Sequence, residues 1–236
     1  MIQILPISET NVMIYLGDQI DVSLTQVISA WVEQLHQLAH PAIIEVIPSY
    51  TSILIQYQPR MISFAELTGI LRDLDAHLDD IKLSGSQQSE TKHIILPVYY
   101  GVDVGPDLLP LARSKGLTVE QVIKLHSQKT YTVSAIGFAP GFAFLAAVDE
   151  AIAMPRHREP RALIPAGSVG IANQQTAVYP SASPGGWQII GNCPLALFSP
   201  DMMPMTPFSV GDTVTFTPIS QAQFVQQGGE LCPSWK

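Results

Sequence analysis

The chain has 236 residues, of which 47% are hydrophobic and 14% are charged, and its formal net charge is -8. This length suits two domains, and the acidic balance argues against nucleic-acid binding, which requires a clustered positive surface. The first residues lack the basic region of a signal peptide, and no run of about 20 apolar residues could span a bilayer. Cys193 and Cys232 are too few for a disulfide framework or a zinc site, so we expect reduced thiols in a cytoplasmic protein.

The first third of the chain alternates between strand and helix patterns. Apolar residues recur at period two in the strands and at helical spacing in the helices. A capping box formed by Ser63 and Glu66 marks the start of the second helix. The predicted elements are a strand at 11–16, a helix at 24–38, a hairpin of 43–47 with 53–57, and a helix at 63–78. They predict a small α+β domain over residues 1–84, a sheet with two helices on one face.

Residues 85–91 carry only small or polar side chains, which predicts a linker. After two short helices, the chain changes to short β-prone runs broken by Gly and Pro, which is typical of a closed or nearly closed β-barrel. We therefore predict a β-barrel domain over residues 92–236. Its predicted elements are a strand at 94–100, helices at 106–114 and 119–126, and β-prone runs at 131–136, 177–179, 188–190, 195–198 and 213–217.

Standard catalytic signatures are absent from the sequence. It has no GxxxxGK(S/T) phosphate loop, no GxGxxG after a strand, no HExxH and no GxSxG. His36 and His40 have the spacing of a metal pair on a helix, but His40 precedes Pro41 at the helix end, where the helix dipole favours histidine anyway. No metal site is predicted.

A glycine-flanked turn is the first of three features that could carry function. In the run 137–142 (GFAPGF), the glycines allow a sharp turn and close approach of a ligand, and Phe138 and Phe142 can form pocket walls. The alternative is an ordinary barrel corner with buried aromatic residues.

The second feature is a cluster of three arginines, Arg156, Arg158 and Arg161, in an acidic protein. Guanidinium groups bind carboxylates and phosphates through paired hydrogen bonds, so this segment is the best candidate for an anion site. The alternative is a solvated surface loop, which charge runs usually are.

The third feature is the stretch 162–200, which contains no Asp, Glu, Lys, Arg or His. Because exposed charges normally keep a surface soluble, such a stretch is expected to be buried, to line a pocket or to be covered by another chain. Its small residues could also present backbone N–H groups to an oxyanion. Barrel interior and turns are the simpler explanation of part of it.

These stretches resemble the allophanate hydrolase subunit 1 family, which contains the B subunit of 5-oxoprolinase and KipI. The motifs that carry the resemblance are GFAPGF at 137–142, the arginine segment at 155–161, PAGSVG at 165–170, SPGGW at 183–187, YYG at 99–101, GPDL at 105–108 and VIKLH at 122–126. The likeness is strong over most of 92–218 and weaker around the hairpin at 45–52. Two departures stand out: NQQTA at 173–177 replaces the family's usual Gly-Gly-Gln-Thr-Gly, and Asn192 replaces its usual Arg.

The resemblance implies a small α/β domain followed by a cyclophilin-like β-barrel, and a site at or near the interface with a partner chain. The expected partners are a C subunit that resembles allophanate hydrolase subunit 2 and an A subunit of the LamB/YcsF type. Together they would open 5-oxo-L-proline to L-glutamate at the expense of ATP, with Mg²⁺, bound by the complex. The predicted site has His126 and Arg158 for catalysis, and for binding substrate or phosphate Phe138, Pro140, Gly141, Phe142, Arg156, Arg161, Gly167, Ser168, Gln175, Tyr179, Gly185, Gly186 and Trp187.

Other functions of the family stay open at this point. A KipI-like inhibitor of a sensor histidine kinase needs a binding surface and no chemistry, which suits the absence of standard catalytic motifs. Subunit 1 of an allophanate or urea amide hydrolase is a further alternative. Prolyl isomerase activity, suggested only by the expected barrel, rests on analogy of fold, which is a poor guide to function.

Overall fold

The computed structural model of the protein describes residues 2–18, 22–84 and 91–231. By its internal packing the chain divides into two units, Met1–Thr91 and Lys92–Lys236. Cys232 and the predicted linker at 85–91, apart from Thr91, lie outside the described residues. In the described part of the chain, none of the helices combines the length and the apolar character needed to cross a membrane.

The first unit contains an antiparallel four-stranded sheet and two helices. Its elements are β1 (Gln3–Ser8), β2 (Asn11–Tyr15), α1 (Val22–Leu38), β3 (Ile43–Pro48), β4 (Ser52–Tyr57) and α2 (Phe64–Ser84). The strand order is β1-β2-β4-β3, and α1 packs against β3 and α2. Successive side chains of a strand point to opposite faces, so one face of β2 and β4 buries Val12, Ile14, Ile53 and Ile55.

The predicted helices and hairpin of this unit are confirmed. The capping box of α2 is present, with the Glu66 N–H donating to Ser63 Oγ at 3.3 Å and the Ser63 N–H donating to Glu66 Oε2 at 2.9 Å. Strand β1 was missed, because Pro6 interrupts its pattern. β1 is an edge strand, where a proline is tolerated.

The second unit is built around a seven-stranded mixed sheet. Its elements are β5 (His93–Val98), α3 (Leu108–Lys115), α4 (Val119–Ser127), β6 (Tyr131–Ile136), β7 (Ala143–Ala146), β8 (Arg161–Ile164), β9 (Ser168–Ala172), β10 (Gln175–Val178), β11 (Ser183–Gly185), β12 (Gln188–Asn192), β13 (Thr213–Pro218) and α5 (Gln221–Gln226). The strand order is β12-β9-β10-β7-β6-β13-β5, and β8 pairs with β11 in a separate two-stranded ribbon. A bridge between Tyr99 and Asn192 joins the two edges, so the sheet is nearly closed into a barrel. The predicted two-part α+β architecture with a barrel-like second part is thereby confirmed.

One predicted strand of the second unit is wrong. Residues 195–198 form no strand but run irregularly across one end of the barrel, directly after Pro194. A side chain at Gly141 would lie 2.8 Å from the Leu197 carbonyl oxygen and 2.8 Å from Phe198 Cβ. The segment therefore packs against the turn that contains Gly141 and buries Leu197, instead of joining the sheet.

Several connections meet at that end of the barrel. The last residues of β6, β10 and β12 lie at the same end of the sheet. In the antiparallel registers, Ile136 pairs with Ala143, Val178 with Val169, and Asn192 with Ser168. The segments at 137–142, 165–167, 179–182 and 193–212 follow or precede these positions, and we call them the loop-rich end. A peptide N–H at Val133 donates to the Asp212 carbonyl, which brings the last segment back to β6.

Candidate functional site

A small pocket lies on the outer face of the barrel sheet. Successive side chains of β7, β9, β10 and β12 point alternately into the barrel and away from it. The outward-pointing side chains pack under the β8–β11 ribbon, and they are Phe144, Ala172, Ala177 and Ile189. The cavity has a volume of about 100 Å³. Its lining consists of Phe138, Phe142, Phe144, Arg156, Tyr179, Pro184, Gly185, Gly186 and Trp187.

Aromatic rings form most of the wall. Phe142 packs edge-to-face on Phe138, Tyr179 and Trp187 at centroid distances of 5.2, 5.3 and 5.7 Å, which are favourable separations for such pairs. Two glycines make room for them: a side chain at Gly170 would press on Trp187, and one at Gly185 would overlap the Tyr179 hydroxyl. Burial raises the pKa of Tyr179 to about 12, so its phenol stays protonated at neutral pH.

Arg156 supplies the positive charge of the pocket. Its guanidinium carbon lies 5.7 Å from the centre of the Trp187 ring, a cation–π distance. The backbone around it is fixed, because the His157 N–H donates to the Gly186 carbonyl at 2.7 Å and Gln188 Nε2 donates to the Pro155 carbonyl at 2.8 Å. Arg156 itself is exposed. An aromatic cavity with a guanidinium at its edge favours a small ligand that carries a carboxylate or a similar anion.

Arg161 points away from the pocket. Its Nη1 and Nη2 each donate to the Asp107 carboxylate at 2.8 Å, a bidentate pair, and the Ile189 N–H donates to the same carboxylate at 2.7 Å. His157 Nε2 also lies 3.1 Å from Asp107 Oδ1, although this approach is not aligned as a hydrogen bond. Asp107 is buried. It therefore ties β8 and the segment before it to the barrel, and Arg161 is engaged within the protein.

Sequence reasoning placed Phe138, Phe142, Arg156, Tyr179, Gly185, Gly186 and Trp187 in a site, and the structure brings all seven together on the lining. It missed Phe144 and Pro184 on the lining, and Asp107 behind it. Phe144 alternates with buried β7 residues and gave no separate signal. Asp107 precedes α3 and is far in sequence from Arg161, so nothing local indicated their pairing.

The other predicted site residues, among them Arg158 from the catalytic pair, lie outside the lining. Pro140 and Arg158 are exposed near it, and Gln175 is half-buried in β10. Gly167 and Ser168, considered as backbone donors, are buried; their N–H groups donate to the carbonyls of Tyr179 at 2.7 Å and Pro165 at 3.3 Å.

His126 lies inside the barrel core rather than at the pocket. Its Nδ1 is 2.7 Å from the Tyr100 hydroxyl and its Nε2 is 2.9 Å from Thr176 Oγ1, while its ring stacks on Phe216 at 4.5 Å. Burial lowers the pKa of His126 to about 3, so the ring is neutral at physiological pH. Both ring nitrogens are engaged with hydroxyl groups of the core.

The two departures from the usual family motifs have structural explanations. Asn173 adopts a positive φ of 53° in the β9–β10 turn, a conformation that glycine and asparagine tolerate best. Asn192 is buried and its Nδ2 donates to the Ala166 carbonyl at 3.0 Å, which holds the loop before β9. Within the described ranges, no group of three or more His, Cys, Asp and Glu side chains is arranged to hold a metal ion.

Comparison with known proteins identifies the family. Residues 2–208 match the model of the carboxyltransferase domain, subdomain C and D. The chain belongs to this carboxyltransferase-domain family. It is similar to the B subunit of 5-oxoprolinase from Bacillus subtilis (strain 168), with 38% identity over 94% of this chain and 95% of that protein. The corresponding B subunit from Escherichia coli O157:H7 is 40% identical, with 75% of this chain and 79% of that protein covered.

A solved structure has the same architecture as the present chain. The crystal structure of TTHA0988 is 31% identical in sequence and superposes with a TM-score of 0.77 over 89% of this chain. The match spans only 40% of TTHA0988, which is therefore a much longer polypeptide. The present chain corresponds to one part of that protein.

Proposed function

We propose that this chain is the B subunit of an ATP-dependent 5-oxoprolinase, which converts 5-oxo-L-proline to L-glutamate. The observation that carries the proposal is the near end-to-end similarity, at 38% identity, to a protein named as the B subunit of a 5-oxoprolinase. The pocket on the outer face of the barrel supports it, because its size and chemistry suit this substrate.

5-Oxo-L-proline is a small, nearly planar five-membered lactam that carries a carboxylate. In the proposed complex the carboxylate pairs with the Arg156 guanidinium, while the ring lies against the aromatic side chains that line the cavity. In this proposal ATP, and any Mg²⁺ with it, is bound elsewhere in the complex.

The pocket is suited to binding and orienting rather than to proton transfer. Opening the lactam requires water to add at the ring carbonyl and the C–N bond to break, with a proton delivered to the nitrogen. ATP can assist by phosphorylating the carbonyl oxygen and releasing ADP. Addition of the water and cleavage of the C–N bond then leave an acyl phosphate, and a second water hydrolyses it to the carboxylate and phosphate. Among the described lining residues, the Tyr179 phenol stays protonated and a guanidinium is a hydrogen-bond donor rather than a base, so the base that activates water would come from another chain of the complex.

The two residues predicted to be catalytic differ in how well the structure supports them. Arg158 is exposed two residues after Arg156, where it can reach an anion held by a partner. His126 is fully buried among Tyr100, Thr176 and Phe216, and we propose that it stabilises the core.

The proposal includes the wider organisation of the enzyme. The proposed partners are the C subunit, which resembles allophanate hydrolase subunit 2, and the LamB/YcsF-like A subunit. The two units are proposed to be separate domains joined at 85–91, the second of them a cyclophilin-like barrel. The nearly closed sheet with α3 and α4 beside it supports that assignment. A cytoplasmic location stays a prediction.

The decisive experiment measures ADP and L-glutamate released by the purified chain together with the A and C subunits. 5-Oxo-L-proline is present or absent, and each chain is omitted in turn. We expect both products only when all three chains and the lactam are present. A stable complex without turnover would refute the proposal. Inhibition of a histidine kinase by the chain would then be the activity to measure.

A further inference from the structure

The loop-rich end of the barrel exposes several large apolar side chains. Met203 is 90% exposed, Phe138 67% and Met202 64%, and Leu195 and Met205 are also exposed. Large apolar side chains that cluster on a surface commonly mark a binding site, and Met and aromatic residues are enriched at protein interfaces.

These side chains belong to one continuous structure. The segment 197–198 lies against Gly141, in the turn that also carries Phe138. The next residue, Ser199, donates its N–H to the Met205 carbonyl at 2.9 Å, which closes a loop with Met202 and Met203 at its tip. The turn and the methionine loop are therefore neighbours.

The segment that carries Leu195 and the three methionines is almost free of charge. Between Arg161 and Asp212 the sequence contains a single charged residue, Asp201. Charge depletion is typical of the centre of a protein–protein interface and unfavourable for a surface that stays in water. Phe138 also lines the pocket, so this surface continues to the pocket rim.

Two findings indicate the occupant. In TTHA0988 the region equivalent to this chain is only 40% of one longer polypeptide, so further structure accompanies the fold there. The Bacillus subtilis relative, by contrast, is matched over 95% of its own length and is named as one subunit of an enzyme. In an enzyme that has this fold as a separate subunit, we expect a second polypeptide to provide the structure that TTHA0988 carries in the same chain.

We infer that the surface formed by Phe138, Leu195, Met202, Met203 and Met205 is where the C subunit docks, through an apolar and charge-poor surface of its own. This inference rests on the proposed function and deepens it. Docking here would cover the methionine loop and place the C subunit beside the pocket rim, from where it can supply the missing base to a ligand at Arg156.

The test is the affinity of the purified C subunit from the same organism for the full-length chain, measured by titration calorimetry. Met203→Glu and Met202→Glu place a charge on the surface, and Met61→Glu is the matched control, since Met61 is 59% exposed in the first unit. We expect each surface variant to raise the dissociation constant about tenfold or more, as a buried unpaired charge at an interface does. Met61→Glu is expected to leave it unchanged.

Each outcome decides a different claim. If the surface variants and the wild type bind the C subunit equally well, the assigned surface is wrong while the proposed function stands. If they lose binding but the wild-type complex shows no oxoprolinase turnover, the surface stands and the proposed function falls. Without any wild-type binding, both fall. If Met203→Glu instead abolishes a wild-type homodimer seen by light scattering, the occupant is a second copy and the inference is wrong. Equal melting temperatures exclude misfolding, and Met203→Gln replaces any variant that fails this control.

Discussion

The carboxylate of Asp107 anchors the segment that carries Arg156, and its removal should be costly. Asp107→Ala would remove two hydrogen bonds of 2.8 Å from the partly buried guanidinium of Arg161 and would leave the Ile189 N–H without its acceptor. Breaking a buried ion pair by removing one partner costs about 3–5 kcal/mol. For a unit of this size, each kcal/mol lowers the melting temperature by about 3 °C, so the expected fall is about 9–15 °C.

Differential scanning calorimetry of the full-length chain measures this effect. Because the chain has two units, the shift should appear in the transition of the second unit, and the first should melt as in the wild type. Asp201→Ala removes an exposed aspartate from the same unit and should change stability by no more than about 0.5 kcal/mol. If Asp107→Ala melts within about 2 °C of the wild type, the anchoring role assigned to Asp107 is wrong.

Three further predictions concern single side chains. Arg156→Ala should weaken 5-oxo-L-proline binding by about 10- to 100-fold, with a smaller effect for Arg158→Ala, as judged by KM in the reconstituted enzyme; equal effects would contradict the assigned carboxylate contact. The pKa of His126 is lowered in the folded state, so the unfolded chain binds the extra proton and stability falls as pH drops below about 6.5 towards 3. In urea titrations, His126→Gln should remove roughly 1 kcal/mol per pH unit of this loss, and an unchanged slope would refute the assignment. Burial raises the pKa of the Cys193 thiol to about 11. In a Cys232→Ser chain, a disulfide reagent at pH 8 should therefore react with Cys193 on the order of 100-fold more slowly in the native protein than in the denatured one. A rapid reaction of the native protein would show that the thiol is accessible.

Local patterns predicted the regular elements better than the contacts between them. Helix α4 begins at Val119, as predicted, and β6 has the bounds that its residues indicated. The strand expected at 195–198 failed because β-propensity does not say whether a sheet edge is available. In this protein the edge beside β12 is occupied by the bridge from Tyr99.

In the candidate site, too, local features were predicted better than contacts between distant residues. The aromatic and glycine motifs predicted which residues form the pocket wall, because the presence of aromatic rings and of glycines beside them can be read directly from the sequence. Three arginines in one segment could not be told apart, since their different roles depend on distant partners. Arg156 meets Trp187, and Arg161 meets Asp107, which precedes a helix in another part of the unit.

Strand β13 lies between β6 and β5, and pairs in parallel with β5 from Thr213–His93 to Pro218–Val98. β5, the first strand of the second unit, therefore cannot pair with this neighbour until β13 has been synthesised. Such distant pairing folds slowly and leaves strand edges open in the meantime. A fragment cut at residue 208, where the family match ends, would never acquire that neighbour. Production of the protein, alone or with its partners, therefore requires the chain to extend at least through Pro218.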